Sequence, residues 1–168
     1  MLETPRSCLI AKNLIDIEDV GEENFPLRAS FFSLGTNDLT QMTFGYSRDD
    51  SSFFQAYERE KVALDDPFEI LDWDGVGKLI KIALNEITEE EKEEETDDET
   101  GKPKRSLRLR RLAEVSACGE HAGNPKSIEF FVRNKFDVVS CSAFRVLGAR
   151  LAVAKAQIQM EEDEESRE

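Results

Sequence analysis

The sequence predicts an α/β fold in which short parallel strands alternate with helices. Apolar runs of strand length recur along the chain and are followed by segments of helical periodicity, an order typical of parallel sheets and barrels. Polar residues come directly after each apolar run, where the carboxyl ends of parallel strands would meet. These two patterns favour a protein whose functional residues lie at one edge of a parallel sheet.

The clearest transition from strand to helix occupies residues 29–50. Residues 29–34 form an apolar run with the length and aromatic content of a buried strand. Gly35 lets the backbone turn tightly or approach a ligand closely. Residues 36–38, Thr-Asn-Asp, start turns and helices, so a helical turn can follow over residues 39–44. Local sequence alone favours ligand binding and simple helix capping by this loop about equally.

The remaining elements continue the alternation, beginning with a strand stub at residues 1–3 that is too short to stand alone. Several predicted helices start at a proline, which is tolerated at the first helical position. Residues 75–87 place apolar side chains three and four apart, which predicts a helix with one apolar face. The other predictions are helices at 7–13, 51–61, 125–132 and 143–160, a helix start at Pro67, a polar loop over 20–27, and strands at 113–117 and 137–141.

A charged segment interrupts the predicted fold, which takes in residues 1–87 and 107–160. Residues 88–106 have almost no apolar content and cannot offset their ordering entropy, so we expect a charged, disordered insertion. Residues 86–99 hold ten acids and one lysine, whereas residues 102–111 hold six lysines or arginines and no acid. A solvated loop is favoured over attraction between the two halves or binding of an acidic partner by the basic half.

Composition excludes several classes of protein. The 168 residues carry a formal net charge of −14, to which an acidic tail at residues 161–168 contributes, and this argues against a nucleic-acid or membrane surface. Three widely spaced cysteines give neither a disulfide framework nor a zinc spacing, which favours a reducing compartment. We see no apolar stretch of about 18 residues and no secretory or transit signal, so a cytoplasmic location is expected, with a plastid as the alternative.

Four side chains near predicted strand ends could carry chemistry. Glu3 and Asp38 are carboxylates able to share a magnesium ion, which takes oxygen ligands and leaves room for substrate oxygens. Cys118 follows a strand and precedes a helix, where a thiol can carry a proton or act as a nucleophile, although a small buried core residue is the commoner role for cysteine. His121, the only histidine, is interpreted as a hydrogen-bonded loop residue without a preferred catalytic role.

Five stretches resemble the C-terminal domain of the pyruvate, phosphate dikinase family, and they occur in that family's order across nearly the whole chain. A Gly-Thr-Asn-Asp-Leu-Thr-Gln core is shared with the wider group of phosphoenolpyruvate-utilising enzymes, whereas the residues after it and His121 resemble the dikinase branch. The stretches are MLETPR at 1–6, FSLGTNDLTQMTFGYSRDD at 32–50, DDPFEI at 65–70, CGEHAG at 118–123 and VSCSAFR at 139–145.

The resemblance implies specific roles for six residues. The family's domain is a (β/α)₈ barrel that binds phosphoenolpyruvate or pyruvate, so this chain is expected to form its C-terminal half, with about three full parallel strands and a stub. The resemblance implies that Glu3 and Asp38 bind Mg²⁺. It further implies that Gly35, Thr36, Asn37 and Asp38 contact the substrate together with Glu3, and that Cys118 protonates the enolate carbon.

The departures from the family pattern lead to two alternative functions. The family's nucleotide-binding domain, its swivelling phosphohistidine domain and the first half of its barrel have no counterpart here, so these would be partners of a dikinase fragment that is inactive alone. The alternative is a non-catalytic half-barrel acting as an interaction or regulatory module. Because a half-barrel leaves strand edges and an apolar face open, self-association is expected. We also expect the carboxylates of Glu3 and Asp38 to lie about 4 to 7 Å apart.

Overall fold

The computed structural model describes an α/β protein built around a small parallel sheet. The helices are shorter or longer than predicted by a few residues, but most lie where the sequence places them. The structure describes residues 1–17, 27–49, 56–57, 59–60, 66–96 and 103–166. The polar loop expected over 20–27 and the helix expected over 51–61 lie almost wholly outside these residues.

Three parallel strands form the centre of the fold: β3 (Phe31–Gly35), β6 (Glu114–Cys118) and β7 (Val138–Val139), in that order across the sheet. The register of β3 and β6 pairs Gly35 with Cys118, so the two strands end side by side. Leu2 bridges Leu34 in parallel on the other side of β3, and the amide of Leu2 donates to the carbonyl of Ser33 at 2.8 Å. The predicted strand stub at the start of the chain is therefore confirmed.

Two of the helices begin where a capping side chain satisfies their first amides. Asn124 precedes a proline and its side chain accepts from the amides of Lys126 and Ser127, as the Asn-Pro pair predicts. Thr4 caps the first helix through a capping box with Ser7. The α-helices of the described residues are α1 (Pro5–Leu9), α2 (Thr36–Phe44), α3 (Val76–Glu86), α4 (Pro125–Arg133) and α5 (Val146–Glu165).

The apolar core lies between the sheet and the helices. Leu34 and Val115 are fully buried on adjacent strands, and Ile80 of α3 and Phe131 of α4 are fully buried in the same cluster. The apolar face predicted for residues 75–87 is confirmed, because α3 buries Val76, Ile80, Ala83 and Leu84. The core fixes the strands against the helices and thereby fixes the edge of the sheet where the strands end.

A hairpin occupies part of the segment for which the sequence predicts a disordered insertion. β4 (Thr88–Thr96) and β5 (Pro103–Arg111) form an antiparallel two-stranded sheet. Its register sets acidic positions opposite basic ones, as at Glu89 and Arg110, and opposite charges directly across a ladder are favourable. This register is the one that attraction between the two halves favours, an alternative that the sequence ranks below a solvated loop. A second small antiparallel pair joins β1 (Asp16–Ile17) to β2 (Leu27–Arg28).

Two further expectations differ from the structure. The last helix continues to Glu165, into the segment expected to be a separate acidic tail. Arg133 of α4 donates to Asp163 at 3.1 Å, so acidic residues of the helical end have a basic partner. Pro67 starts a turn and no helix, because the Asp66 side chain accepts from the Phe68 amide and closes a tight turn. The parallel α/β layer is thus established, whereas the half-barrel stays a prediction.

Candidate functional site

The candidate site is the edge of the sheet where the first three parallel elements end together. Gly35 lies opposite Cys118 in the register, and the Gly35 amide donates to the Leu2 carbonyl at 3.1 Å. This pairing places Glu3, the residue after Leu2, beside Gly35. The predicted convergence of strand ends is therefore present for Glu3, Gly35 and Cys118.

Glu3 packs directly against the backbone of Gly35. A Cβ atom added at Gly35 would lie 2.7 Å from Cγ of Glu3 and 3.1 Å from Oε1, so glycine makes room for this side chain. Glu3 is half-buried, whereas Asp38 is exposed in the first turn of α2. A carboxylate in the first turn is favourable because the helix dipole is positive there. The predicted separation of the two carboxylates stays a prediction.

Thr36 and Asn37 join the start of α2 to the end of β6. The Thr36 hydroxyl donates to the carbonyl of Cys118 at 2.7 Å. The Asn37 side-chain oxygen accepts from the Glu120 amide at 3.0 Å. Both side chains thus have structural partners in addition to the binding role that the resemblance implies. The alternative in which Asn37 caps its own helix is not seen, because no side chain caps the start of α2.

Cys118 is half-buried at the end of β6 and its thiol has two polar neighbours. Sγ donates to the carbonyl of Leu34 at 3.3 Å, and the Ser33 hydroxyl lies 3.5 Å from Sγ as a donor. Cys8 is different: it is fully buried in the core, and burial raises its thiol pKa to about 11. A thiol that remains protonated and buried is inert, so Cys8 has a structural role. The half-buried thiol of Cys118 is the more accessible of the two.

His121 is fully buried directly behind the loop of Thr36. Its Nδ1 lies 2.8 Å from the Thr36 hydroxyl and its Nε2 lies 2.8 Å from the carbonyl of Pro67. Because a carbonyl only accepts, Nε2 carries a hydrogen and donates it. The interpretation of His121 as a hydrogen-bonded residue is confirmed, but its burial and its contact with Thr36 are not evident from sequence.

Burial lowers the pKa of His121 below its ordinary value of 6.5, against the raising effects of the Pro67 hydrogen bond and the carboxylates of Asp66 and Glu120; Arg48 lowers it further. The unfolded chain therefore binds more protons than the folded chain between pH 6.5 and the lower folded-state pKa. We expect stability to fall as the pH decreases through this window, by up to about 1.4 kcal/mol per pH unit.

Urea denaturation at several pH values above about pH 5, where ordinary carboxyl groups remain ionised, measures this effect. His121 is the only histidine of the chain, so His121→Asn should remove the dependence in this window. A stability that is constant from pH 7 to about pH 5.5 in the unaltered chain would contradict the lowered pKa.

Two arginines meet Glu120 at the same edge of the sheet, a feature that sequence reasoning missed. Arg145 lies 3.1 Å from one carboxylate oxygen of Glu120, and Arg48 lies 3.6 Å from the other. Arg145 also fills the space beside Gly123, where an added Cβ would lie 2.5 Å from its Cδ. These contacts tie the loop after α2, the turn after β6 and the turn after β7 together.

The donor set fits a magnesium ion of the kind that keeps substrate and water ligands. Within the described parts of the chain, no group of three or more histidine, cysteine, aspartate or glutamate side chains could hold a metal on its own. Mg²⁺ is commonly bound by one or two carboxylates together with substrate oxygens. Glu3 follows Leu2, which bridges β3, and Asp38 lies in the first turn of the helix that follows β3.

The fold belongs to a phosphotransferase family. A family model described as the PEP-binding domain of PEP-utilising enzymes matches residues 1–158, and the chain belongs to this family. The match covers every parallel strand and the whole sheet edge described above.

Within that family the chain is similar to pyruvate, phosphate dikinases of plants. It is 42% identical over 159 residues to pyruvate, phosphate dikinase 2 of Zea mays, covering 94% of this chain and 15% of that protein. It is 46% identical over 156 residues to the chloroplastic enzyme of Flaveria trinervia, covering 92% of this chain and 13% of that protein. The chain therefore spans only about one seventh of the length of these relatives.

Several relatives are named as chloroplastic, among them dikinases of Oryza sativa and Arabidopsis thaliana. In the described part of the chain, no helix has both the length and the apolar character needed to cross a bilayer.

Proposed function

We propose that this chain forms the C-terminal half of the phosphoenolpyruvate- and pyruvate-binding barrel of a pyruvate, phosphate dikinase. The full reaction converts ATP, pyruvate and phosphate into AMP, phosphoenolpyruvate and diphosphate. The observation that carries the proposal is the meeting of Glu3, the loop of residues 35–38 and Cys118 at the ends of adjacent parallel strands. That placement matches the roles implied by the family.

In this proposal Glu3 and Asp38 hold Mg²⁺, which, when bound, supplies positive charge to stabilise oxygens that become negative in the reaction. The loop of residues 35–38 orients the substrate carboxylate and carbonyl against that charge. Glycine at positions 35 and 119 makes room for side chains of the site. Glu3 lies where a Cβ of Gly35 would be, and Thr36 and Asn37 lie where a Cβ of Gly119 would be. The protein thus positions the substrate and stabilises developing charge, and these two effects supply most of the acceleration of phosphoryl transfer.

Cys118 moves the proton in the pyruvate-forming direction. Loss of the phosphoryl group from phosphoenolpyruvate leaves the enolate of pyruvate, whose methylene carbon needs a proton. The Cys118 thiol gives up its hydrogen to that carbon, so a C–H bond forms as the S–H bond breaks and a thiolate remains. The half-buried thiol at the edge of the sheet is accessible for this step, unlike the buried thiol of Cys8.

The partners of this half-barrel in the proposal are the other domains of a dikinase. Its small-molecule ligands are phosphoenolpyruvate and pyruvate, and its partner domains are a swivelling domain that carries a phosphohistidine and a nucleotide-binding domain. An exposed apolar face supports a covering partner: Phe144, in the turn before α5, and Leu147 are each 83% exposed, and Leu151 of α5 is 73% exposed. Soluble proteins seldom leave such a cluster open.

The proposal is tested with a hybrid dikinase in which residues 1–158 replace the matching segment of an active relative. We expect pyruvate formation from phosphoenolpyruvate, AMP and diphosphate by the hybrid, and none by residues 1–168 alone. Glu3→Gln and Asp38→Asn in the hybrid should each lower turnover about 100-fold, because each removes charge at the reacting oxygens.

Glu114→Gln is the matched control, since it removes one exposed carboxylate at the opposite end of β6 from Cys118 and should leave turnover unchanged. A folded hybrid that does not turn over, although its parent does, would favour the alternative of a non-catalytic interaction module. Turnover by residues 1–168 alone would contradict the half-barrel proposal directly.

A further inference from the structure

His121 is a buried polar residue that the proposed chemistry does not use. Both ring nitrogens lie 2.8 Å from polar atoms that come from distant parts of the chain. Thr36 is 85 residues away in sequence and Pro67 is 54 residues away. A fully buried imidazole with two long-range partners holds those partners in place, because loss of either hydrogen bond would leave a buried polar atom unsatisfied.

The donors and acceptors form one continuous chain of hydrogen bonds. The Pro67 carbonyl accepts from Nε2 of His121, and Nδ1 contacts the Thr36 hydroxyl. The same hydroxyl donates to the Cys118 carbonyl at 2.7 Å. Thr36 has one hydroxyl hydrogen, and in a neutral ring Nδ1 and the Cys118 carbonyl share it. The orientation of the Thr36 side chain therefore depends on His121.

This chain of bonds reaches both halves of the candidate site. Thr36 belongs to the loop proposed to bind substrate, and Cys118 is the proposed proton donor. Gly119 lets the loop and the end of β6 pack closely, since an added Cβ there would lie 2.8 Å from the Thr36 hydroxyl oxygen. Hydrogen bonds in the protein interior are stronger than those at the surface, because the local dielectric constant is low. The buried bonds of His121 and Thr36 therefore set the distance between the substrate loop and the thiol.

We propose that His121 is a positioning residue that fixes the substrate loop against the end of the Cys118 strand through the Thr36 hydroxyl. The importance of this alignment for turnover rests on the proposed function; the alignment itself does not. His121 touches neither substrate nor reacting atoms and acts only through Thr36. Its partner Pro67 anchors the ring to the turn that precedes α3.

Two substitutions separate the two sides of the ring. The amide of asparagine at position 121 reaches the place of Nδ1 and can keep the contact with Thr36. The longer side chain of glutamine reaches the place of Nε2 and can keep the contact with Pro67 but not the contact with Thr36. Thr36→Val removes the hydroxyl with little change of shape. Ser127→Ala is the control, because Ser127 is also fully buried and its hydroxyl accepts a long-range hydrogen bond from Leu71.

The readout is the rate at which iodoacetamide alkylates Cys118 in the full 168-residue chain, followed by mass spectrometry of peptides, with half-buried Cys141 as internal standard. We expect His121→Gln and Thr36→Val to change the rate at Cys118 about fivefold, the equivalent of one ordinary hydrogen bond. His121→Asn should stay close to the unaltered chain. The double variant His121→Gln/Thr36→Val should match Thr36→Val, because Thr36→Val already removes the link that His121→Gln breaks.

Three results would overturn the proposal: an unchanged rate at Cys118 in His121→Gln, an equal change at Cys118 and Cys141, or the same change in Ser127→Ala. An unchanged rate would show that His121 and Cys118 are not coupled. An equal change at Cys141, or the same change in Ser127→Ala, would show a general loosening of the fold. Nuclear magnetic resonance of the unaltered chain provides a measurement that needs no variant to fold, since the single imidazole assigns itself. We expect a slowly exchanging Nε2 hydrogen; a ring in fast exchange with water would also overturn the proposal.

Turnover of the hybrid dikinase carrying His121→Gln separates this inference from the proposed function. A change of Cys118 alkylation together with loss of turnover supports both. A change of alkylation in a hybrid whose turnover never depended on Cys118 supports the positioning role and contradicts the proposed function. An unchanged alkylation rate contradicts the positioning role whatever the turnover.

Discussion

Replacing Cys118 with alanine in the hybrid dikinase is expected to abolish pyruvate formation, with a loss of about 10² to 10⁴-fold in turnover. The thiol lies at the end of β6, opposite Gly35, the first residue of the loop proposed to hold the substrate, and donates to the carbonyl of Leu34. Alanine has no exchangeable hydrogen to give to the enolate carbon, and water would have to replace it without being positioned.

Partial reactions at the nucleotide-binding domain should continue in the Cys118→Ala hybrid, because they do not involve the enolate. Exchange of label between ATP and AMP measures those reactions in the same preparation. Cys141→Ala is a matched control, since Cys141 is also half-buried and follows the neighbouring strand β7. Full turnover by the Cys118→Ala hybrid would return Cys118 to the role of a small structural residue.

Much of the parallel layer could be predicted because local signals coincide with tertiary demands. The apolar run before Gly35 becomes β3. The Asn124-Pro125 pair starts α4, because the Asn124 side chain caps the helix and proline fixes the backbone φ angle, and both effects act within a few residues. The stub at Leu2 was also predictable as an incomplete strand. In the structure Leu2 pairs in parallel with Leu34 of β3.

The hairpin β4–β5 was missed because its first strand has no apolar side chain that would predict a strand and its second has only the two leucines Leu107 and Leu109. Residues 88–106 lack the side chains that usually predict a strand, and the pairing sets charges of opposite sign across the ladder. Such pairing depends on the register between two segments, which composition does not reveal. The same reason explains the tail, where the ion pair of Arg133 with Asp163 spans 30 residues.

The interior of the site was missed for a different reason. Nothing in the stretch around His121 distinguishes an exposed loop histidine from a buried one, and its partners Thr36 and Pro67 lie far away in sequence. Glu120 is similar, since its contacts with Arg48 and Arg145 join three separate loops. Local patterns identified the residues at the edge of the sheet, whereas the contacts that hold them there are long-range.

Replacing Gly119 with alanine is expected to damage both the fold and the site. Gly119 has φ of 103° and ψ of −176°, a conformation available almost only to glycine, and this strain alone costs on the order of 1 to 3 kcal/mol. A Cβ would also lie 2.8 Å from the Thr36 hydroxyl oxygen and 2.8 Å from the Asn37 side-chain oxygen. Relief of that overlap requires movement of the loop against the end of β6.

The expected loss of unfolding free energy for Gly119→Ala is about 3 kcal/mol or more, measured by urea denaturation of residues 1–168. Gly45→Ala isolates backbone strain, because Gly45 has φ of 68° and no atom within 4 Å of an added Cβ, and should cost about 1 to 2 kcal/mol. Gly148→Ala, in open space within α5, should stabilise by up to about 1 kcal/mol. If Gly119→Ala costs no more than Gly45→Ala, the loop is free to move away, and the close packing of Thr36 and Asn37 on Gly119 does not fix the substrate loop.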